Sequence, residues 1–105
     1  MIDHVVLFKL RPEVDGERVD WMMRETRLRL LKIPSVLAIR TGRSLDACSD
    51  WDFFLSVSLD SPERLTSFSR EKRYQGLLDE VIAPNTCGRL ILDFQTDPGE
   101  NPLLL

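Results

Sequence analysis

The sequence predicts an α+β fold in which four strands form one antiparallel sheet and two helices cover one of its faces. Segments with apolar residues at every second position alternate with segments at helical spacing, and their order is β-α-β-β-α-β. A chain of 105 residues is long enough for one such domain and too short for two. In this split βαβ order, right-handed crossovers place the first and third strands at the centre of the sheet.

The first predicted strand, residues 1–10, has largely apolar residues on both of its faces. The helices of one domain can cover only one of these faces. The apolar residues of the other face therefore predict burial against a partner subunit, and we expect a homodimer. The residues expected on this outer face of the sheet are Val5, Leu7, Phe54, Ser56 and Ser58.

The first helix is predicted to follow an N-cap at Asp15 and to continue to about Ile33, because Pro34 ends it. A second strand is expected at residues 35–40. The polar residues 41–50 are expected to form a loop.

The third strand is predicted over residues 51–59, where large apolar side chains alternate with mostly polar ones. A second helical region then begins with Asp60, Ser61, Pro62 and Glu63, which suit a cap and an acidic first turn. Charged residues interrupt this region, so we expect two helical pieces that end at Pro84. The last strand is predicted over residues 88–95.

Residues 1–95 are thus predicted to form the domain, and residues 96–105 a C-terminal tail. Trp21 and Leu28 fall opposite the apolar stripe of the first helix, although a tryptophan favours burial. The tail ends in three leucines, which are equally unsuited to water. One hypothesis is that the tail, from the same or the partner subunit, docks on an apolar surface that includes Trp21.

Composition excludes several classes of function. Fourteen basic and seventeen acidic residues give a net charge of −3, which argues against a dedicated nucleic-acid binder or a polybasic membrane binder. No signal-peptide pattern or long apolar run is present, so we expect a cytoplasmic protein. Two distant cysteines and one histidine predict neither a disulfide framework nor a metal site. The sequence has no Gly-rich phosphate loop, and no cofactor is expected.

The predicted topology brings His4 close to Asp93. The last strand runs antiparallel beside the first, so the end of one lies near the beginning of the other. A histidine next to a carboxylate is a reasonable general acid/base pair. The alternative is that the pair only satisfies buried polar groups beneath the helices.

Three segments resemble a known family. They are residues 4–10 (HVVLFKL), residues 32–36 (KIPSV), and VIAP at 81–84 followed by LDF at 92–94. The chain resembles, over nearly its whole length, the stress-responsive A/B barrel domain (Dabb) proteins, which are dimeric α/β barrels with a ferredoxin-like fold. The resemblance implies a homodimer in which the open faces of two sheets pack together as a barrel.

The family includes a plant polyketide cyclase whose substrate lies between the sheet and the helices. Its pocket has a histidine on the first strand, a tyrosine early in the second helix, a histidine six residues later and an aspartate on the last strand. This sequence retains His4 and Asp93, but Phe68 replaces the tyrosine and Tyr74 replaces the second histidine. The cyclase reaction therefore cannot be transferred to this chain.

The resemblance implies a set of candidate site residues. His4, Tyr74 and Asp93 are the catalytic candidates, with Tyr74 as a hydroxyl donor toward a carbonyl. The ligand-binding candidates, which ordinary core packing would explain equally well, are Met22, Met23, Thr26, Phe53, Leu55, Val57 and Phe68.

Two classes of function remain open. The first is a dimeric protein that binds a small apolar carbonyl compound between sheet and helices, as a cyclase-like or isomerase-like enzyme or as a binding protein. The second is a noncatalytic stress or assembly protein whose dimer serves stability or interaction. An open cavity of more than about 300 Å³ beside His4 and Tyr74 would favour the first class, and a filled core the second.

Overall fold

The structure is a computed structural model that describes residues 1–97. It contains the predicted βαββαβ order, with the second helical region divided into several parts. The strands and helices are β1 (Ile2–Leu10), α1 (Gly16–Leu30), β2 (Ala38–Arg43), β3 (Phe53–Leu59), α2 (Pro62–Ser69), α3 (Lys72–Leu77) and β4 (Thr86–Gln95). The proposed docking segment of the C-terminal tail lies outside the described residues.

The four strands form one antiparallel sheet in the order β2-β3-β1-β4. The predicted α+β fold, with β1 and β3 at the centre, is therefore confirmed. In the register of β1, His4 pairs with Val57 on one side and with Asp93 on the other. The edge strand β4 thus carries Asp93 to the place that the topology predicted.

The second strand differs most from its prediction. It begins at Ala38, because turn hydrogen bonds, including one from Val36 N to Ile33 O, occupy the residues before it. It then continues to Arg43, three residues into the predicted loop. Gly42 in this segment lies beneath the ring of Phe54, so close that a Cβ at this position would collide with the ring.

Other boundaries also move, and β4 begins at Thr86 rather than at residue 88. Helix α1 ends at Leu30, and a turn bonded from Ile33 N to Leu30 O precedes Pro34. Strand β3 begins at Phe53 because the residue before it connects to β1: Asp52 N donates to Phe8 O, and the Asp52 carboxylate accepts from Leu10 N at 2.7 Å. The start of β3 is thus bound to the end of β1.

Local capping explains where the helices begin. The Asp15 carboxylate accepts from Arg18 N at 2.8 Å, which confirms the predicted N-cap of α1. Ser61 caps α2 in the same way, and Pro62 occupies its first turn. After α3 the chain continues as a π-helical segment, Leu78–Ile82, and a 3₁₀ turn, Ala83–Asn85. π-Helical segments are frequent at functional sites.

The helices pack on one face of the sheet and enclose the hydrophobic core. The largest fully buried side chains include those of Phe8, Phe53, Phe68, Met22 and Leu30. Trp21 is half-buried against this core, and the Arg18 guanidinium lies 4.9 Å from the centre of its ring. Within the described chain, α1 therefore supplies part of the cover for Trp21 through a cation-π contact.

Candidate functional site

Three side chains from distant parts of the sequence meet under the helices. His4 comes from β1, Tyr74 from α3 and Asp93 from β4. The Nδ1 atom of His4 lies 2.5 Å from Oδ1 of Asp93, and its Nε2 atom lies 3.1 Å from the hydroxyl oxygen of Tyr74. Both nitrogens of the imidazole ring are thus hydrogen-bonded, one to a carboxylate and one to a phenol.

This triad is enclosed on one side by an aromatic wall. The ring of Phe68 stacks on that of Tyr74 with 4.3 Å between centroids and meets the His4 ring edge-on at 6.0 Å. His4, Phe68 and Tyr74 are all buried, whereas the side chain of Asp93 is 43% exposed. Solvent therefore reaches the triad from the Asp93 side.

The environment of Tyr74 keeps its phenol protonated. Burial raises the pKa of Tyr74 to about 12, and the negative charge of Asp93 acts in the same direction, while the positive charge of Arg89 opposes them. The phenol therefore stays neutral near neutral pH. The Asp93 carboxylate accepts a hydrogen bond from Nδ1–H of His4. In the neutral imidazole ring, Nε2 therefore carries no proton and accepts a hydrogen bond from the Tyr74 hydroxyl.

An open cavity of about 360 Å³ lies between β4 and the helical region that begins with α3, at the end of the β1–β4 ladder where Phe8 pairs with Arg89. Phe8, Leu78 and Ile82 form apolar parts of its lining, and Gln75 and Arg89 are polar parts. Gln75 follows Tyr74 in the chain, and the charge of Arg89 acts on the Tyr74 hydroxyl. His4, Tyr74 and Asp93 themselves do not line this cavity.

The helix-facing side of β4 connects the cavity to Asp93. Arg89, Ile91 and Asp93 alternate along the strand and face the same side as their partners Phe8, Val6 and His4 on β1. All three are exposed, and Ile91 is 46% exposed although it faces the helices. The helices thus leave this side of the edge strand uncovered from Arg89 to Asp93, a strip that we call the β4 groove.

The residues that the family resemblance suggested as ligand contacts lie elsewhere. Six of these residues are packed under the helices, and each has at most 2% of its surface exposed: Met22, Thr26, Phe53, Leu55, Val57 and Phe68. Met23 is half-buried and borders a separate opening of about 310 Å³ toward β2. Ligand contact at these residues stays a prediction, and it would require the packed core to open.

Sequence reasoning did not identify Arg89 and Gln75 as residues beside the site. Arg89 could have been found, because it lies four residues before Asp93 and a strand places both on the same face. Gln75 gave no comparable signal, since its position depends on how α3 continues into the π-helical segment.

Within residues 1–97, no group of three or more His, Cys, Asp or Glu side chains is placed to hold a metal ion. No helix in this part of the chain is long and apolar enough to cross a membrane.

Comparison with solved structures gives the same fold in several organisms. A dimeric ferredoxin-like protein of unknown function from Thermobifida fusca is 22% identical, with a TM-score of 0.79 and 90% of each chain covered. A Dabb family protein from Mesorhizobium loti is 16% identical, with a TM-score of 0.78, covering 92% of this chain and 97% of its own. A hydroxynitrile lyase from Passiflora edulis is 11% identical, with a TM-score of 0.77, covering 95% of this chain and 96% of its own. At these identities the likeness shows the fold alone.

Comparison with curated proteins finds no match to the sequence. The model of the family described as Stress Responsive A/B Barrel Domain, in contrast, matches residues 2–96. The match begins at the first residue of β1 and ends one residue beyond β4, so it includes the whole sheet, the helices and the three residues of the triad. This sequence match shows that the chain belongs to the stress responsive A/B barrel domain family.

Proposed function

We propose that this chain forms a homodimer and binds a small carbonyl compound in the groove of β4, where His4, Tyr74 and Asp93 transfer a proton to the carbonyl oxygen. The observation that carries this proposal is the hydrogen-bonded chain from a carboxylate through an imidazole to a neutral phenol, on a pair of strands that also borders an open cavity of about 360 Å³. Cavities of this volume fall within the usual range for small-molecule sites.

The order of donors follows from the protonation of His4. When the ring is protonated, Nδ1–H donates to Asp93 and Nε2–H donates to the Tyr74 oxygen, which frees the phenol proton for a ligand. Tyr74 then gives its proton to the carbonyl oxygen and receives the Nε2 proton of His4. Loss of an α-hydrogen of the ligand to water completes the conversion of the ketone to its enol.

The outer face of the sheet supports the homodimer. Val5, Leu7 and Phe54 are only half-buried there, and Phe94 of β4 is 50% exposed. The relative from Thermobifida fusca is a dimer. Pairing of two such faces would bury this apolar surface and leave the groove on the opposite face open.

A second candidate function is a noncatalytic role in which the triad only stabilises the fold. It is favoured by the burial of His4 and Tyr74 and by the closed packing around Met22 and Phe68. In that case, replacing His4 would change stability without changing any reaction. The Passiflora edulis relative shows that the fold is compatible with an enzyme, so the fold does not decide between the two candidates.

The experiment measures hydrogen exchange into a ketone in heavy water. Two probes are used, 2-octanone and its carboxylate counterpart 7-oxooctanoate, and loss of the α-hydrogen signals is followed by NMR. We expect the protein to accelerate exchange of at least one probe and His4→Gln to reduce this acceleration about 100-fold or more. Leu28→Gln, a change on the exposed side of α1, is the matched control. A folded wild-type protein that accelerates neither probe would contradict the proposed function.

A further inference from the structure

Arg89 is an unusual residue for the inner side of a sheet. Its partner across the ladder, Phe8, is fully buried, so the Arg89 side chain extends from the same face into the cavity beside the helical region. In residues 1–97 the arginines that form ion pairs are Arg29, Arg43 and Arg64. Within these residues, Arg89 thus borders the cavity without an ion-pair partner in direct contact.

The rest of the cavity is suited to an apolar chain. Phe8, Leu78 and Ile82 supply apolar surface, and the exposed Ile91 continues this surface along β4 toward Asp93. The side-chain amide nitrogen of Gln75 donates to Ser69 O at 2.6 Å. The cavity thus combines the Arg89 cation and the Asp79 carboxylate with apolar surface, and Ile91 continues that surface along β4 outside the cavity.

We infer that the ligand is a keto acid, with a carboxylate bound by Arg89, an aliphatic segment on Ile91 and a carbonyl group beside Tyr74. This inference rests on the proposed function, and it adds the class of substrate. A guanidinium matches a carboxylate with two parallel hydrogen bonds, which gives position as well as affinity. Arg89 and Asp93 are four residues apart on one strand, about 14 Å along the sheet. A ligand of several carbons is needed to reach from one group to the other.

The charge of Asp79 provides a second way to distinguish an anionic ligand from a cationic one. This exposed carboxylate lines the cavity from the π-helical segment, opposite the strand that carries Arg89. It would repel a carboxylate ligand and attract a cationic one. Asp79→Asn is therefore expected to strengthen binding of a keto acid about two- to threefold, whereas a cationic ligand would be weakened.

The test compares the dissociation constants of 7-oxooctanoate and 2-octanone, which differ only in the carboxylate, by titration of backbone amide NMR signals. We expect 7-oxooctanoate to bind the wild-type protein roughly 10- to 100-fold more tightly, as a charge-assisted hydrogen-bonded pair would. Arg89→Gln should remove this advantage. Arg24→Gln, which removes an equal charge from the exposed side of α1, should leave it unchanged. The amide spectrum of each variant also establishes that it is folded.

The outcomes separate this inference from the function on which it rests. If both probes bind with equal affinity, or if Arg89→Gln keeps the preference for 7-oxooctanoate, the keto-acid assignment is wrong and carbonyl binding stands. If neither probe binds to the folded protein, both proposals fail. If only 7-oxooctanoate binds, and binding depends on Arg89, both are supported.

Discussion

Tyr74 is the only tyrosine of the chain, so its ionisation can be followed without interference from another phenol. Burial raises its pKa from 10.0 to about 12, and the pKa of a tyrosine in the unfolded chain is close to the lower value. At about pH 11, a phenol with a pKa of 10 is roughly nine-tenths ionised, whereas one with a pKa of 12 is roughly one-tenth ionised. The ionised fraction of Tyr74 therefore differs enough between the folded and unfolded protein to be distinguished at a single pH.

The assay is a spectrophotometric titration of phenolate absorbance in the near ultraviolet, with circular dichroism at each pH to establish that the protein is folded. We expect the folded protein to remain largely unionised at about pH 11, and the same protein in urea to be largely ionised. If the fold opens at that pH, a rapid pH jump should show phenolate appearing only as unfolding proceeds. A folded protein that titrates near pH 10 would refute the enclosed position of the phenol.

The same shift predicts how stability depends on pH. Between about pH 10 and 12 the unfolded chain loses the Tyr74 proton while the folded chain keeps it, so the unfolded state binds fewer protons. Stability from this group is therefore fully present below the unfolded pKa and is lost as pH rises through the folded one, at about 1.4 kcal/mol per pH unit. Tyr74→Phe should remove this part of the alkaline loss. Urea unfolding at two alkaline pH values for both proteins measures the difference.

Three further substitutions test the packing. Phe54→Lys on the outer face should convert the dimer to a monomer in light scattering at micromolar concentration, whereas Leu28→Lys on α1 should not; a wild-type monomer would remove the dimer hypothesis. Gly42→Ala should destabilise the protein by about 1–3 kcal/mol in urea unfolding, because the new methyl group would displace the Phe54 ring, and an unchanged midpoint would contradict this. Thr26→Val should stabilise the protein by about 1 kcal/mol, because the buried Thr26 hydroxyl has no hydrogen-bond partner in residues 1–97; a lower melting temperature would contradict it.

The sheet and one contact of the site could be predicted because they depend on topology. Once the order of elements was known, antiparallel pairing of β4 with β1 required Asp93 to lie beside His4. The Thr41–Arg43 part of β2 could not be predicted in the same way, because its polar residues and Gly42 are typical of a loop. Pairing with the hydrophobic strand β3 extends β2 in spite of that local preference.

The lining of the cavity was harder to predict, because it depends on how closely side chains pack. Met22 and Phe68 have the composition of an apolar pocket, but in the structure they fill the space between sheet and helices. The open space lies instead at the sheet edge, where the π-helical segment continues beyond α3 and the helices no longer cover β4. A pattern of apolar residues predicts which side is buried, but it does not determine where packing is incomplete.

The two faces of β4 would allow the proposed homodimer and the proposed ligand to be present together. Leu90 and Phe94 are 40% and 50% exposed on the outer face, and Ile91 is 46% exposed on the opposite face. A single partner cannot cover both, since successive residues of a strand point to opposite sides. The outer residues continue the apolar surface of β1 and suit a second sheet, whereas Ile91 lies between Arg89 and Asp93 and suits a small ligand. Because an edge strand is held by one neighbour only, packing of a second sheet on its outer face would also steady the strand that carries Arg89 and Asp93.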